Sequence, residues 1–484
     1  MKLASKKLLY LLLTFFSGFL SGISFNFVYC APLIWVSLVP FFWVIKRVKK
    51  AYVYSFIGGF VHYFTMIFWL SYVTKLGLFL LLLYLSFYWA IWGYICKLFW
   101  EKRVGEIAIP CVWVIIEFLR ENLFSGFGWG ILGYSQFKNT YLIGIADIGG
   151  VKAISFMIVF INLLIFNSIE KRKVWCKEVL IIFLLIAGCI FYSFYRSREI
   201  FPRETLEVSV VQPNISQEKK WDQSSVPWIL NQLRKLGNTS AQGSLVIFPE
   251  ASWPLVVNKD NINLLQGLAK ELQRNVLIGA VEEIEGKIYN SAFFLNEKGQ
   301  IEDIYHKIKL VPFGEYVPLR KFLSFVDVLT VLGDISPGNE EKIFDYRGKK
   351  FASLICFEDT FPVFVSKFSK SSHFLVNITN DGWFLGNPEA IQHWGIMVLR
   401  AIENRISIVR ASNTGISGGV DFLGRAVLLN KGGKKVFVRG VLNFKMPLNY
   451  KRSFYTHHPY FFILLVSLLL LFTIMKRFLN IQIW

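Results

Sequence analysis

Three short polar motifs, the first and third of which close an apolar run, together hold the groups that acyl chemistry on sulfur requires. The first is Phe248-Pro249-Glu250-Ala251-Ser252, after the run SLVIF. The second is the stretch Tyr305-His306-Lys307-Ile308-Lys309-Leu310, leading into Val311-Pro312-Phe313-Gly314-Glu315-Tyr316-Val317-Pro318. The third is Cys356-Phe357-Glu358-Asp359, after FASLI. A cysteine attacking an acyl carbon needs a base to take the thiol proton and a positive charge to hold the oxyanion. Glu250, just past a buried strand, sits where a carboxylate can be tuned for proton transfer. Lys307 is a candidate for the cation, and Lys309, two residues on, is its rival. Taken singly the motifs are weak. A Glu after a strand is most often a surface group, a Lys is most often solvated, and the plainer reading of Cys356 is a buried structural thiol.

The cysteines sharpen the choice. Cys96, Cys111 and Cys189 fall in long apolar stretches, Cys176 in a basic loop and Cys30 near the end of the first apolar pair. Only Cys356 falls in the polar C-terminal block, so it has no partner there, and an odd thiol of this kind points to reactivity. The histidines (His62, His306, His373, His393, His457, His458) are scattered, and none is expected to bind metal. There is no GxGxxG or Walker motif and no zinc spacing, so no cofactor is expected.

These motifs must be held by a sheet. From about residue 205 short apolar runs alternate with helical patterns. Leu206–Gln212, Ser244–Phe248, Val276–Ala280, Tyr289–Leu295, Phe351–Phe357, Phe374–Thr379 and Ile406–Ala411 read as strands. Val226–Leu236, Asn261–Arg274, Phe361–Lys367 and Pro388–Arg405 read as helices. The alternation predicts an α/β domain over 201–455, layered α-β-β-α.

The rest of the chain is a different kind of polymer. Of 484 residues 54% are hydrophobic and 18% charged, which excludes a disordered or disulfide-stapled protein and argues against a wholly soluble one. Apolar stretches near the length of a membrane span occur at 8–26, 31–45, 52–72, 76–96, 105–119, 153–169 and 178–195, and an eighth at 459–475. The fifth carries Pro110 and Glu117 and is the least regular. Residues 1–200 are therefore expected to form a seven-helix membrane domain, and 456–484 an eighth helix with a cytoplasmic tail. The Gly- and aromatic-rich segment 120–152 is expected outside, at the membrane interface. The net charge of +20 is concentrated at Lys2/Lys6/Lys7, 46–50, 97–103, 171–173 and Lys476/Arg477. Alternation through eight spans puts all five clusters on the cytoplasmic side, as the positive-inside rule requires, and the block 201–455 on the other. Basic residues placed this way speak for membrane loops, not for nucleic acid.

The order Glu250, Lys307, Cys356 resembles the Glu-Lys-Cys triad of the nitrilase, or carbon–nitrogen hydrolase, superfamily. LVPFGEYVP, Asn380–Phe384 (NDGWF) and Arg410–Ser417 (RASNTGIS), with spans flanking the domain, more closely resemble its membrane-embedded branch, the apolipoprotein N-acyltransferase family. The resemblance covers essentially the whole chain. It implies Glu250 as general base, Lys307 as oxyanion stabiliser and Cys356 as nucleophile, with Glu315, Glu358 and Trp221 in supporting positions. Phe357 stands where many members carry Tyr, and Leu385 is an extra residue in the WFLGN run. The resemblance further implies a ping-pong transfer through a Cys thioester. The donor would be a membrane phospholipid and the acceptor the α-amine of a diacylglyceryl apolipoprotein, in a monomer of the bacterial inner membrane with a periplasmic catalytic domain.

Water would compete for a thioester, so a cover is expected. Phe322–Leu332, with Phe325 and Leu329, and Trp383-Phe384-Leu385 are candidates for a lid; a buried amphipathic helix explains the first stretch equally well. Two rival readings remain: a membrane-anchored amidase hydrolysing a small amide, and a transporter or scaffold with an inactive domain. The spans lack a ladder of charges, which weakens the transporter reading.

Overall fold

The computed structural model describes residues 2–100, 105–171, 176–202, 204–318, 333–384 and 387–478. The chain forms two compact units, Met1–Glu199 with His458–Trp484, and Ile200–His457.

The first unit is helical. Helices or helical runs occupy Lys2–Ile23, Val28–Arg47, Ala51–Tyr72, Lys75–Phe99, Gly105–Asn122, Ala146–Lys171, Cys176–Glu199 and Phe461–Phe478. Six of them are long and apolar enough to cross a membrane: Ser5–Ile23, Val28–Arg47, Ala51–Tyr72, Lys75–Phe99, Ala146–Glu170 and Lys177–Glu199. Gly105–Asn122 carries Glu106, Glu117, Arg120 and Glu121, and the apolar part of the last helix is short. The unit's interior is aromatic, with Trp92 stacked on Phe41 at 5.3 Å and edge-on to Trp113 at 4.6 Å. Leu184 and Phe191 on Cys176–Glu199 stand exposed, as apolar side chains do when lipid is the solvent. After the exposed Leu123 and Phe124, the stretch 128–137 turns into the interior of the unit. Trp129, Ile131, Leu132 and Phe137 are buried, and Glu117 accepts hydrogen bonds from the Leu132 amide and the Trp113 indole, both at 2.8 Å.

The second unit is two six-stranded sheets. One has the order β12-β1-β2-β3-β4-β5, with β1 Glu204–Gln212, β2 Leu245–Ile247, β3 Asn275–Ile284, β4 Lys287–Leu295, β5 Ile301–His306 and β12 Gly440–Leu448. The other has the order β11-β10-β9-β8-β7-β6, with β6 Phe344–Tyr346, β7 Lys349–Ile355, β8 Phe374–Thr379, β9 Ser407–Ser412, β10 Gly418–Val420 and β11 Ala426–Leu428. Within each sheet three strands run parallel, β1-β2-β3 and β7-β8-β9. Strands buried on both faces are near-continuous apolar runs, and β2 (LVI) and β8 (FLVNIT) fit that pattern. The sheets face each other through aromatic contacts such as Phe294 with Phe351 at 5.3 Å. Helices Val226–Asn238 and Ile262–Leu272 cover the first sheet through Ile229, Leu233, Leu265 and Leu268. Pro362–Ser371 and Asn387–Asn404 serve the second sheet. The result is the α-β-β-α sandwich expected from the alternation.

Two local differences matter for the site. The strand expected over Phe351–Phe357 ends at Ile355, and Cys356–Thr360 is a turn of 3-10 helix. The HKI motif is also part of the sheet: Tyr305 and His306 end β5, so Lys307 begins the loop beyond it.

Candidate active site

Lys307 is 1% exposed and lies between two carboxylates. Its Nζ is 2.9 Å from Glu315 Oε1 and 3.5 Å from Glu250 Oε1. Asn290, on β4, donates from one Nδ2 to both acids, at 2.8 Å to Glu250 and 3.0 Å to Glu315. Its carbonyl also accepts the Lys307 amide at 2.9 Å, so one residue of the neighbouring strand fixes all three. Burial works against the Lys307 charge, but Glu315 and Glu250 outweigh it and hold the ammonium well above the ordinary lysine range. Lys309 is exposed, with Nζ 5.5 Å from the Phe361 ring centroid. The geometry therefore brings Lys307, and not Lys309, to the acids.

Each acid is held by its backbone. Glu250 follows β2 in a loop pressed onto Gly279 of β3. A Cβ on Gly279 would stand 2.5 Å from Pro249 O and 2.6 Å from Glu250 Cα, so only glycine permits the approach. Lys220 is buried and donates to the Glu250 carbonyl at 3.1 Å. Burial pushes its ammonium down to about 8, while Glu250 and Cys356 pull the other way. Glu315 sits in the PFGE turn, where its Oε2 accepts the Val311 amide at 2.8 Å.

Cys356 occupies a sharp bend. Its φ of +53° lies in the left-handed region, sparse for a residue with a side chain and common where a fold over-determines a functional position. Glu358 supplies much of that determination. It is fully buried; Oε2 accepts the Ile355 amide at 2.8 Å, and Oε1 accepts the Ile308 amide at 2.7 Å, the Lys309 amide at 3.0 Å and the Tyr305 hydroxyl at 2.8 Å. One carboxylate thus ties the residue before the cysteine to the residue after Lys307. Burial pushes the Glu358 carboxyl up to about 7, against these hydrogen bonds. Burial, then the Glu250 charge, raises the Cys356 thiol well above its usual range, with Lys307 acting in the opposite sense. The thiol is half-buried by exposure, and the charges of Glu250 and Lys307 act on it in opposite senses.

Behind the bend lies a buried ion network that the motif reading did not identify. Asp381, of the NDGWF run, accepts from Thr379 at 2.8 Å and Ser412 at 2.9 Å. His393 reaches Asp381 at 3.3 Å through Nδ1 and Asp359 at 3.1 Å through Nε2, and Asp359 pairs with Arg410. Burial and Arg410 oppose a charged imidazole; Asp359 and Asp381 outweigh them and hold His393 up to about 9. Asp381, Glu389 and His393 offer three ligand atoms within 4.8 Å of one another. Both ring nitrogens of His393 face carboxylates. The scattered-histidine reading had no signal for this, because Asp359, Asp381 and His393 converge only in the fold.

Of the other expected residues, Trp221 caps the short helix Gln217–Lys220, and its buried indole nitrogen has no hydrogen-bond partner among the described residues. Phe357 packs edge-on against Phe361 at 5.0 Å, an apolar contact. Trp383 and Phe384 are half-buried beside Asp381. Phe322, Phe325, Leu329 and Leu385 lie outside the described residues. Asn290, Lys220 and Thr379 were not singled out from sequence; for Asn290 and Thr379 the available signal was a polar side chain in an otherwise apolar strand.

The chain is similar to known proteins along its length. The family model described as "Apolipoprotein N-acyltransferase N-terminal domain" matches residues 17–164, and that described as "Carbon-nitrogen hydrolase" matches residues 207–437. A protein named apolipoprotein N-acyltransferase from Geobacter metallireducens is 33% identical over 478 residues, covering 92% of this chain and 91% of its own. One of the same name from Chlorobaculum tepidum is 27% identical over 497 residues, covering 92% of each. Among solved structures, a mutant of a Nesterenkonia AN1 amidase from the nitrilase superfamily matches with 16% identity and a TM-score of 0.39, over 51% of this chain and 93% of that one. By this full-length similarity the chain belongs to the apolipoprotein N-acyltransferase family, with a carbon–nitrogen hydrolase domain as its second unit.

Proposed function

We propose that this protein transfers a fatty acyl chain from a membrane phospholipid to the α-amine of the N-terminal diacylglyceryl-cysteine of an apolipoprotein. The observation that carries the mechanism is the Lys307 ammonium set between Glu250 and Glu315, tied through Glu358 to the bend that bears Cys356. Glu250 takes the thiol proton as the sulfur attacks the ester carbonyl. The raised thiol favours this concerted proton transfer over a standing thiolate. Lys307 stabilises the oxyanion, and a lysophospholipid leaves with the proton returned from Glu250. The acceptor amine then attacks the thioester, its proton passes to Glu250, and the thiolate leaves and is reprotonated. Glu315 and Asn290 keep Lys307 charged and aimed throughout. No step draws on a cofactor.

Both substrates are lipid-anchored, so the membrane unit holds the enzyme on the surface from which they are drawn. The distribution of basic clusters supports an inner-membrane protein with its catalytic unit on the periplasmic side. A cover over the thioester from Trp383 and Phe384 belongs to the same proposal. The test is reconstitution with labelled phosphatidylethanolamine and a diacylglyceryl lipopeptide. Label is expected on the peptide α-amine and lost in Cys356→Ala. Transfer that persists in Cys356→Ala refutes the thioester route, and release of free fatty acid with no labelled peptide favours the amidase reading.

A further inference from the structure

The row of side chains beside the nucleophile follows from strand register. β7, β8 and β9 run parallel, with Ile355 opposite Ile378 and Thr379 opposite Ser412. Cys356, Thr379 and Ser412 therefore stand side by side at the carboxyl ends of three adjacent strands. By this register the Thr379 hydroxyl neighbours the Cys356 thiol, where it favours the thiolate, and it donates to Asp381 Oδ1 at 2.8 Å. Thr379 and Ser412 are fully buried, and Asp381 is 5% exposed. The backbone of the RASNTG run closes around this carboxylate: a Cβ on Gly415 would stand 1.9 Å from Asp381 Oδ2.

A hydroxyl has one hydrogen, and here it has two acceptors of changing strength. With the thiol neutral, S–H can donate to Thr379 Oγ1 while the hydroxyl hydrogen points to Asp381. Once the thiol proton has gone to Glu250, the sulfur has nothing to donate and becomes an anion. Turning the hydroxyl about its C–O bond then gives the sulfur a donor. Asp381 tolerates the loss, because the Ser412 hydroxyl at 2.9 Å and the His393 imidazolium at 3.3 Å remain on it.

We propose that Thr379 is a further catalytic residue, a buried hydroxyl switch that turns from Asp381 to Cys356 Sγ whenever the sulfur carries negative charge. It acts twice, as sulfur attacks the ester and as thiolate leaves the thioester. No proton is transferred through it; the proton lost by sulfur goes to Glu250, and the new bond is sulfur to acyl carbon. Asp381, backed by His393, Asp359 and Arg410, is the positioning residue that parks the hydroxyl between turnovers. This assignment rests on Cys356 being the nucleophile.

The charged groups facing the thiol are Glu250 after β2, Lys220 from Gln217–Lys220, Lys307 after β5 and Asp381 after β8. The test is alkylation of Cys356 by iodoacetamide as a function of pH, in the full-length protein in lipid nanodiscs, read by peptide mass spectrometry. Thr379→Val, which keeps the shape and removes the hydroxyl, is expected to move the profile to higher pH and slow alkylation at neutral pH about tenfold. Thr379→Ser should retain the wild-type profile. Asp381→Asn removes a negative charge and the competing acceptor, so its profile should move to lower pH. A Thr379→Val profile that coincides with wild type, whatever its melting temperature, overturns the proposal, as does an Asp381→Asn profile displaced to higher pH. Acyl transfer measured on the same samples separates the two claims: a wild-type protein with the expected alkylation pattern but no transfer counts against the acyltransferase reading and leaves the switch in place.

Discussion

Replacing Asn290 by alanine should disarm the base and the oxyanion cation together without touching either. The Asn290 amide donates to Glu250 at 2.8 Å and to Glu315 at 3.0 Å, and both acids are more than nine-tenths buried. A hydrogen bond to a charged group contributes about 1.5–3 kcal/mol. In the alanine variant water can enter the space vacated and recover part of two such bonds, so a net loss of about 1.5–3 kcal/mol is expected. If that loss falls on the transition state, acylation slows by about 10- to 150-fold, at 1.36 kcal/mol per decade. The assay is single-turnover formation of the acyl-enzyme from labelled phospholipid, with a thermal melt beside it. Asn290→Asp should be worse in both, since a third carboxylate beside Glu250 and Glu315 leaves Lys307 facing three negative charges. An acylation rate within threefold of wild type, with only the melting temperature lowered, would refute the reasoning and make Asn290 a purely structural residue.

Lys307→Met strands two buried carboxylates and should cost about 3–5 kcal/mol of stability as well as abolish acylation; adding Glu315→Gln should recover part of the stability in a double-mutant cycle but none of the activity. Lys309→Met, by contrast, should stay within threefold of wild type in acylation, because its ammonium lies exposed over Phe361. Gly279→Ala pushes a methyl group into the backbone of the Pro249–Ala251 loop and, by displacing Glu250 about 1 Å, should slow acylation by about 10²-fold, checked against an unchanged far-UV spectrum. His393 gives a pH signature with a defined sign. Its folded-state value is held up to about 9, above that of an unfolded histidine near 6.5, so its stabilisation is fully present below about pH 6.5 and lost as pH rises through about 9. The melting-temperature gap between wild type and His393→Gln should therefore narrow across that window; a gap independent of pH would contradict the assignment of a buried imidazolium.

What the sequence made legible follows from periodicity and from motif chemistry. Strands such as Phe374–Thr379 and helices such as Ile262–Leu272 announce themselves because burial on two faces or one dictates their apolar pattern. The bend at Cys356 was harder: FASLICF continues the apolar run, and nothing local shows that the strand stops at Ile355 so that Glu358 can turn back and bond the Ile355 amide. The Gly- and Trp-rich stretch after Asn122 reads as a surface segment by composition, yet Trp129–Phe137 is largely buried, because neighbouring helices supply the polar partners that Gln136 and the Leu132 amide need. Asn290 and the Thr379–Asp381–His393 row were invisible for a further reason. Their meaning lies in partners 12 to 40 residues away, brought together by strand pairing that spacing alone does not disclose.

Everything in this account passes through a covalent acyl group on one sulfur. The direct measurement is intact-protein and peptide mass spectrometry of the full-length protein after incubation with a single phospholipid and no acceptor. The account predicts a fatty-acyl mass increment on Cys356 that neutral hydroxylamine removes and that Glu250→Gln fails to form. An unmodified Cys356 in protein that still N-acylates a lipopeptide when one is added would contradict it.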